Sequence, residues 1–252
     1  MNSHIRILGI IVGIILITDA GKPRSPPPPS AFQLKTPNQQ KYFKELTNPD
    51  TTITIGTGPA GCGKTYLACH AALNTLKKKE CSKIILTRPT ISVDDEQMGF
   101  LPGAIQQKMD PWTRPLFDIM KEMFNPIQIQ TMINNEIIEI SPLAYMRGRT
   151  FKNAYIVADE MQNSSPNQML MLMTRVGENT QMAITGDLMQ SDRIQTSNHP
   201  QKNGLQDLIE RLNRNNHNDH NHHNHAIKHI KLDTEDIQRS NVIAKILYMY
   251  RV

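Results

Sequence analysis

Eight consecutive residues carry the densest chemistry in this chain: Gly58, Pro59, Ala60, Gly61, Cys62, Gly63, Lys64 and Thr65. They fit the spacing GxxxxGK[ST]. A β-branched run at residues 51–57 precedes them and a helical pattern at 65–79 follows. Glycines at those positions let the backbone curl until successive N–H groups converge on one anion. The helix that follows adds the positive end of its dipole. This is the chemistry of a loop that cradles the phosphates of a nucleoside triphosphate. Lys64 would reach the β- and γ-phosphates and the Thr65 hydroxyl would ligate magnesium, with Tyr66 continuing the nucleotide-binding stretch.

A phosphate loop that does chemistry needs acid at a second place, to hold the metal and handle water. Asp159 and Glu160 close an apolar run at residues 154–158, 95 residues beyond Lys64. Ligands of open α/β sheets gather at the carboxyl ends of strands. Asp159 would hold magnesium, and Glu160 would orient or deprotonate the attacking water. Gln162, two residues past Glu160, is placed to contact the γ-phosphate or the water. Thr185-Gly186-Asp187 ends the next apolar run, and Thr185 or Gln190 could sense the γ-phosphate from that side. The plainer reading of these polar residues is a surface glutamine and a capped strand-to-helix turn.

The elements that must position these groups can be read from periodicity. Strand patterns occupy residues 51–57, 83–87, 137–140, 154–159, 181–185 and 227–232. Helical patterns occupy 65–79, 167–176, 204–212 and 236–250. The run AYIVA is apolar throughout, as befits a strand covered on both faces. Strands alternating with helices imply an α/β fold with a mostly parallel sheet, helices on both faces and right-handed crossovers.

Composition sets outer bounds. The chain has 252 residues, of which 38% are hydrophobic and 20% charged, enough for one sizeable domain with polar extensions. Aromatic residues are few, so Ile, Leu, Val and Met must build the core. The net charge of +5 is compatible with a nucleic-acid partner without establishing one. Three cysteines without a CxxC pair argue against a disulfide framework or a zinc finger. Free thiols and a need for ATP make the cytoplasm the expected location. An apolar run at residues 7–17 leaves membrane or organelle targeting open; it reads as a signal or anchor, as the product of a wrongly assigned start, or as a strand or helix of the fold. Residues 1–21 are therefore set apart. Residues 22–31 (KPRSPPPPS and one more) form a Pro-rich linker, and the ATPase domain is expected over 32–252. Residues 213–225 (NRNNHNDHNHHNH) read as a solvated insertion. His217, His220, His222, His223 and His225 could capture a transition metal, but their Asn-rich setting reads as incidental low complexity.

Taken in order, the segments KTPNQQKYF (35–43), GTGPAGCGKTYLA (56–68), ILTRP (85–89), GFLPG (99–103), DPWTRPLFD (110–118), SPLAYMRGRTFKNAYIVADEMQN (141–163), ITGD (184–187) and DIQRS (236–240) resemble the PhoH-like ATPases, which are related to superfamily 1 helicases. The resemblance covers nearly all of 35–252. It implies a RecA-like P-loop NTPase core, ATP hydrolysis, association with RNA metabolism and ring-shaped homo-oligomers; magnesium and single-stranded RNA are the expected cofactor and partner. In the family's pattern Asn38 and Gln39 look like an adenine-reading element, and Arg239 looks like the arginine that reaches a γ-phosphate. Cys62 departs from the family's usual Thr, where only the backbone N–H should matter. Ala158 departs from a larger apolar residue.

Arg88, Arg147 and Arg149 are candidate contacts for RNA phosphates, with Arg114 and Arg175 as further basic residues; subunit contacts or core ion pairs would use the same forks. The expectation is a magnesium-dependent ATPase of helicase type, acting on or with RNA. The alternative is a nucleotide-gated RNA- or protein-binding module with little turnover.

Overall fold

The computed structural model describes residues 32–89, 116–190, 203–218, 226–238 and 249. Strand β1 (Ile53–Thr57) runs into the phosphate loop, which opens helix α2 (Lys64–Lys77). Five more strands follow: β2 (Lys83–Thr87), β3 (Ile138–Ile140), β4 (Ala154–Ala158), β5 (Gln181–Gly186) and β6 (Ile227–Lys231). They form one sheet in the order β3-β2-β4-β5-β1-β6, and every pairing is parallel. The α/β expectation is borne out, and the sheet is that of a RecA-like P-loop core.

Alternation along the strands divides the core. One face of the sheet presents Ile53, Ile55, Ile85, Ile156, Met182 and Ile184. It packs on α4 (Pro166–Met173) through Met169 and Leu172, and on α5 (Gly204–Asn218) through Leu205 and Ile209. The other face presents Ile84, Leu86 and Ile138 to Cys69, Ala72 and Leu73 of α2. Ile55, Ile85, Ile156 and Ile184 are wholly buried, each contributing about 1.5–3 kcal/mol relative to exposure. Helix α1 (Pro37–Leu46) is capped by the Thr36 hydroxyl, and its end is pinned to the sheet where the Tyr155 hydroxyl donates to Leu46 O at 2.8 Å.

Differences from the sequence reading have local causes. Helix α3 (Pro126–Asn134) arises from a capping box, with Asn125 and Gln128 each bonding the other's backbone, a signal present in NPIQ but short of periodic support. Helix α5 continues to Asn218 rather than stopping near 212. Extending a formed helix needs no new nucleus, and an Arg211–Asp207 pair at 2.7 Å steadies it one turn earlier. Asp236 does not open a helix: it closes a 3-10 turn (Thr234–Asp236), and Ile237 is extended. Residue 249 of the expected helix is helical, while residues 239–248 and 250, residues 1–31, the histidines from 220 to 225, Arg114 and Arg239 lie outside the described residues. Among the described residues no helix is long and apolar enough to cross a membrane.

Candidate active site

The phosphate loop takes the shape its glycines permit. Gly58, Gly61 and Gly63 have φ of 151°, 89° and 93°, a region other L-residues seldom adopt. Gly58 is doubly constrained, because a Cβ there would lie 2.5 Å from Leu232 O. Gly63 caps α2 without a side-chain hydrogen bond, so the first-turn N–H groups have no competing side-chain acceptor at the cap. The Lys64 ammonium rests on the loop's own carbonyls, Gly58 O at 2.6 Å and Pro59 O at 2.8 Å, with the Cys62 sulfur at 3.7 Å. Phosphate oxygens are stronger acceptors for an ammonium than neutral carbonyls, so a bound polyphosphate would draw Lys64 outward.

The acid end converges on the same point. The Thr65 hydroxyl donates to Asp159 Oδ1 at 2.7 Å, and the Thr185 hydroxyl donates to the same oxygen. Three elements, the start of α2 and the carboxyl ends of β4 and β5, thus meet at one carboxylate. A hydroxyl and a carboxylate brought together in this way are hard oxygen donors of the kind magnesium takes, so the residues present fit that ion.

Glu160 is held in a left-handed backbone conformation, φ 53° and ψ 39°. A non-glycine residue so placed stores about 1–3 kcal/mol of strain, which the surrounding structure must offset. One carboxylate oxygen lies 4.0 Å from Arg88 Nη2, and the other accepts from the Gln162 side-chain amide. The Gln162 carbonyl oxygen accepts from Asp187 N at 3.1 Å. Buried Gln162 therefore bridges the ends of β4 and β5. Gly186 leaves room for it, since a Cβ there would meet Gln162 Oε1 at 2.8 Å. Asp187 Oδ2 is buried without a hydrogen-bond partner among the described residues. Gln190 donates its backbone N–H to Asp187 O at 3.2 Å, and its residue is exposed.

The candidate adenine-reading residues, Asn38 and Gln39, lie beside the phosphate loop and the turn that holds Asp236. Gln39 is buried, accepts from Lys35 N at 3.0 Å, and donates to Cys62 O at 3.1 Å and Asp236 O at 3.2 Å. In this position it is a strut behind the phosphate loop. Asn38 donates to Asp236 Oδ2 at 3.0 Å, and the Thr36 hydroxyl donates to Asp236 Oδ1. Burial pushes the Asp236 carboxyl up. The hydrogen bonds from Thr36, Asp233 N and Asn38 outweigh burial and hold it below the usual carboxylate range. Gln238 N donates to Gly61 O at 3.2 Å, and Leu232 N to Thr57 O at 2.7 Å, so residues 232–238 clasp the loop from outside. Sequence reasoning missed Asp236 and this clasp. The Thr36-Pro37 start of α1 was readable, but its partner two hundred residues away was not.

The basic candidates separate. Where the sequence suggests phosphate contacts for Arg149, the structure pairs both ends of its fork with Glu139 and lays it 4.5 Å over the Phe151 ring. Arg175 is likewise spent on backbone, donating to Arg149 O at 2.7 Å and Met171 O at 3.0 Å. Arg147 is exposed, and Arg88 is partly exposed beside Glu160.

Comparison with known proteins agrees with this geometry. Residues 31–251 match the family model described as PhoH-like protein. A PhoH-like protein of Synechocystis sp. is 46% identical over 172 residues, covering 68% of this chain and 50% of the relative. A PhoH-like protein of Bacillus subtilis is 40% identical over 220 residues, covering 87% and 64% respectively. Protein PhoH of Escherichia coli K12 is 35% identical over 214 residues, covering 84% and 56%. The chain thus spans about half to two thirds of the length of these relatives. The loop, the paired acids and these matches lead to one family: the chain belongs to the PhoH-like P-loop ATPases.

Proposed function

We propose that this chain hydrolyses ATP with magnesium and acts on or with single-stranded RNA as a helicase-type ATPase. One observation carries the hydrolytic reading: Asp159 is reached by both Thr65 and Thr185, with Glu160 next in sequence and turned by its left-handed backbone. In this reading the backbone N–H groups of residues 58–66 bind the polyphosphate and Lys64 leaves its loop carbonyls for the γ-phosphate. Thr65 and Asp159 hold the ion. Magnesium, when bound, neutralises charge on the phosphate oxygens. Glu160 accepts a proton from the attacking water, and Gln162 fixes the Glu160 carboxylate while linking it to Asp187. Gln190 reports the γ-phosphate from the neighbouring strand end. By family pattern Arg239 contributes positive charge to the transition state, from the same subunit or a neighbour within a ring.

RNA enters this reading through family pattern and charge. Of the candidate arginines, Arg147 is exposed and Arg88 partly exposed, on a chain of net charge +5. The test is phosphate release from magnesium–ATP with and without single-stranded RNA, beside Lys64→Ala and Glu160→Gln. Turnover lost in both variants, with ATP still bound by Glu160→Gln, is expected. ATP binding without turnover in the wild type would leave the second reading, a nucleotide-gated binding module. Light scattering with and without ATP tests the ring.

A further inference from the structure

Strand register brings the ends carrying Arg88 and Glu160 side by side. Strands β2 and β4 are neighbours with Thr87 opposite Ala158, and Asp159 N donates to Thr87 O at 2.9 Å. Arg88 is the first residue past the end of β2, and Glu160 the second past the end of β4. The left-handed turn at Glu160 completes the approach, leaving Arg88 Nη2 4.0 Å from Glu160 Oε1. With Gln162 on Oε2, both oxygens of the carboxylate assigned to water already face a donor. One of the two donors is firmly built in: Gln162 is buried and bonded also to Asp187 N. The other is loose. At 4.0 Å the Arg88 contact is longer than a hydrogen bond, and the side chains are 33% and 37% exposed, so solvent and a passing polymer reach both.

We propose that Arg88 is a positioning residue that restrains Glu160, and that the phosphates of single-stranded RNA release Glu160 by taking the guanidinium. A guanidinium fork binds a phosphate through two parallel N–H···O contacts, a better arrangement than one distant carboxylate oxygen. Once Arg88 turns to a phosphate, Glu160 keeps Gln162 as its orienting donor and has an oxygen open for the water proton. RNA binding and hydrolysis are thereby coupled through a single side chain. This rests on the hydrolytic reading above. A half-exposed pair is weak, and its removal changes the rate by about two- to fivefold.

The experiment measures phosphate release by the full chain at saturating magnesium–ATP, with and without poly(U), for wild type, Arg88→Ala and Arg88→Lys. Melting temperature and affinity for a fluorescent ATP analogue are recorded for each. In Arg88→Ala the unstimulated rate rises about two- to fivefold and the stimulation by poly(U) falls toward one, while nucleotide affinity and melting temperature hold. Arg88→Lys, which keeps the cation, restores part of the restraint and part of the stimulation. An Arg88→Ala rate at or below wild type, with melting temperature intact, overturns the restraint. Undiminished stimulation in that variant overturns the release. A wild type that poly(U) does not stimulate overturns the RNA reading and the release with it. Loss of turnover in wild type would instead sink the hydrolytic reading, so the failures are distinguishable.

Discussion

Replacing Gln39 by Leu separates a loop strut from a base reader. The substitution keeps volume, so cavity effects are small, and it deletes three hydrogen bonds: from Lys35 N at 3.0 Å, to Cys62 O at 3.1 Å and to Asp236 O at 3.2 Å. At a net 0.5–1.5 kcal/mol each, with two carbonyls left against an apolar group, the loss is about 3 kcal/mol. For a domain of this size that lowers the melting temperature by about 6–12 °C. The damage also reaches the ligand, because Cys62 O belongs to the phosphate loop. Affinity for ATP and for GTP should therefore fall together, by about tenfold if half of the loss is felt by the bound state. Differential scanning fluorimetry gives the first quantity and titration with the two nucleotides gives the second. An unchanged melting temperature with a selective loss of ATP over GTP would refute the strut and return Gln39 to the base.

Three further outcomes follow from the same geometry. Gly58→Ala should abolish nucleotide binding and cost several kcal/mol, since the added Cβ meets Leu232 O at 2.5 Å and φ is 151°; a chain that melts and binds ATP as wild type would contradict this. His229 contacts the Thr57 hydroxyl at 2.8 Å, and burial, then Lys231, pull its pKa below 6.5. The unfolded chain therefore binds the proton more readily, and stability should fall as pH drops below about 6.5 toward the folded value, with His229→Gln flattening that slope in melts from pH 7.5 to 5.5. Arg149→Met should cost about 1–2 kcal/mol through the lost Glu139 pair and the Phe151 contact, yet leave poly(U) affinity within about twofold, as filter binding would show.

The parts legible in the sequence are those set by local physics. The AYIVA run had to be a strand covered on both faces, and it is the wholly buried β4. The glycines of the phosphate loop announce their own backbone, and their positive φ values answer to it. The Asp159–Thr65 contact was legible because a phosphate loop and an acid at a strand end constrain one another. What escaped depends on pairing across the chain. Nothing in KTPNQQ says that Thr36 will meet Asp236, or that a glutamine beside it will turn inward. Nor does RGRTF say that Arg149 faces Glu139 on the edge strand β3, where its fork closes an ion pair. The left-handed Glu160 was also out of reach, because a glutamate carries no signal for that conformation.

The clasp of residues 232–238 on the phosphate loop gives the site an order in time. Residue 65 leaves the ribosome 171 residues before Asp236, which at 5–20 residues per second is about 10–30 s. Through that interval Gly58 lacks Leu232 against it, and Gly61 O and the Gln39 amide lack their partners from the far segment. A nascent chain can thus carry the whole nucleotide motif without a braced loop to hold phosphate. The loop gains these braces only when β6 and the residues that follow it dock, so the shape of the phosphate loop is completed late in synthesis.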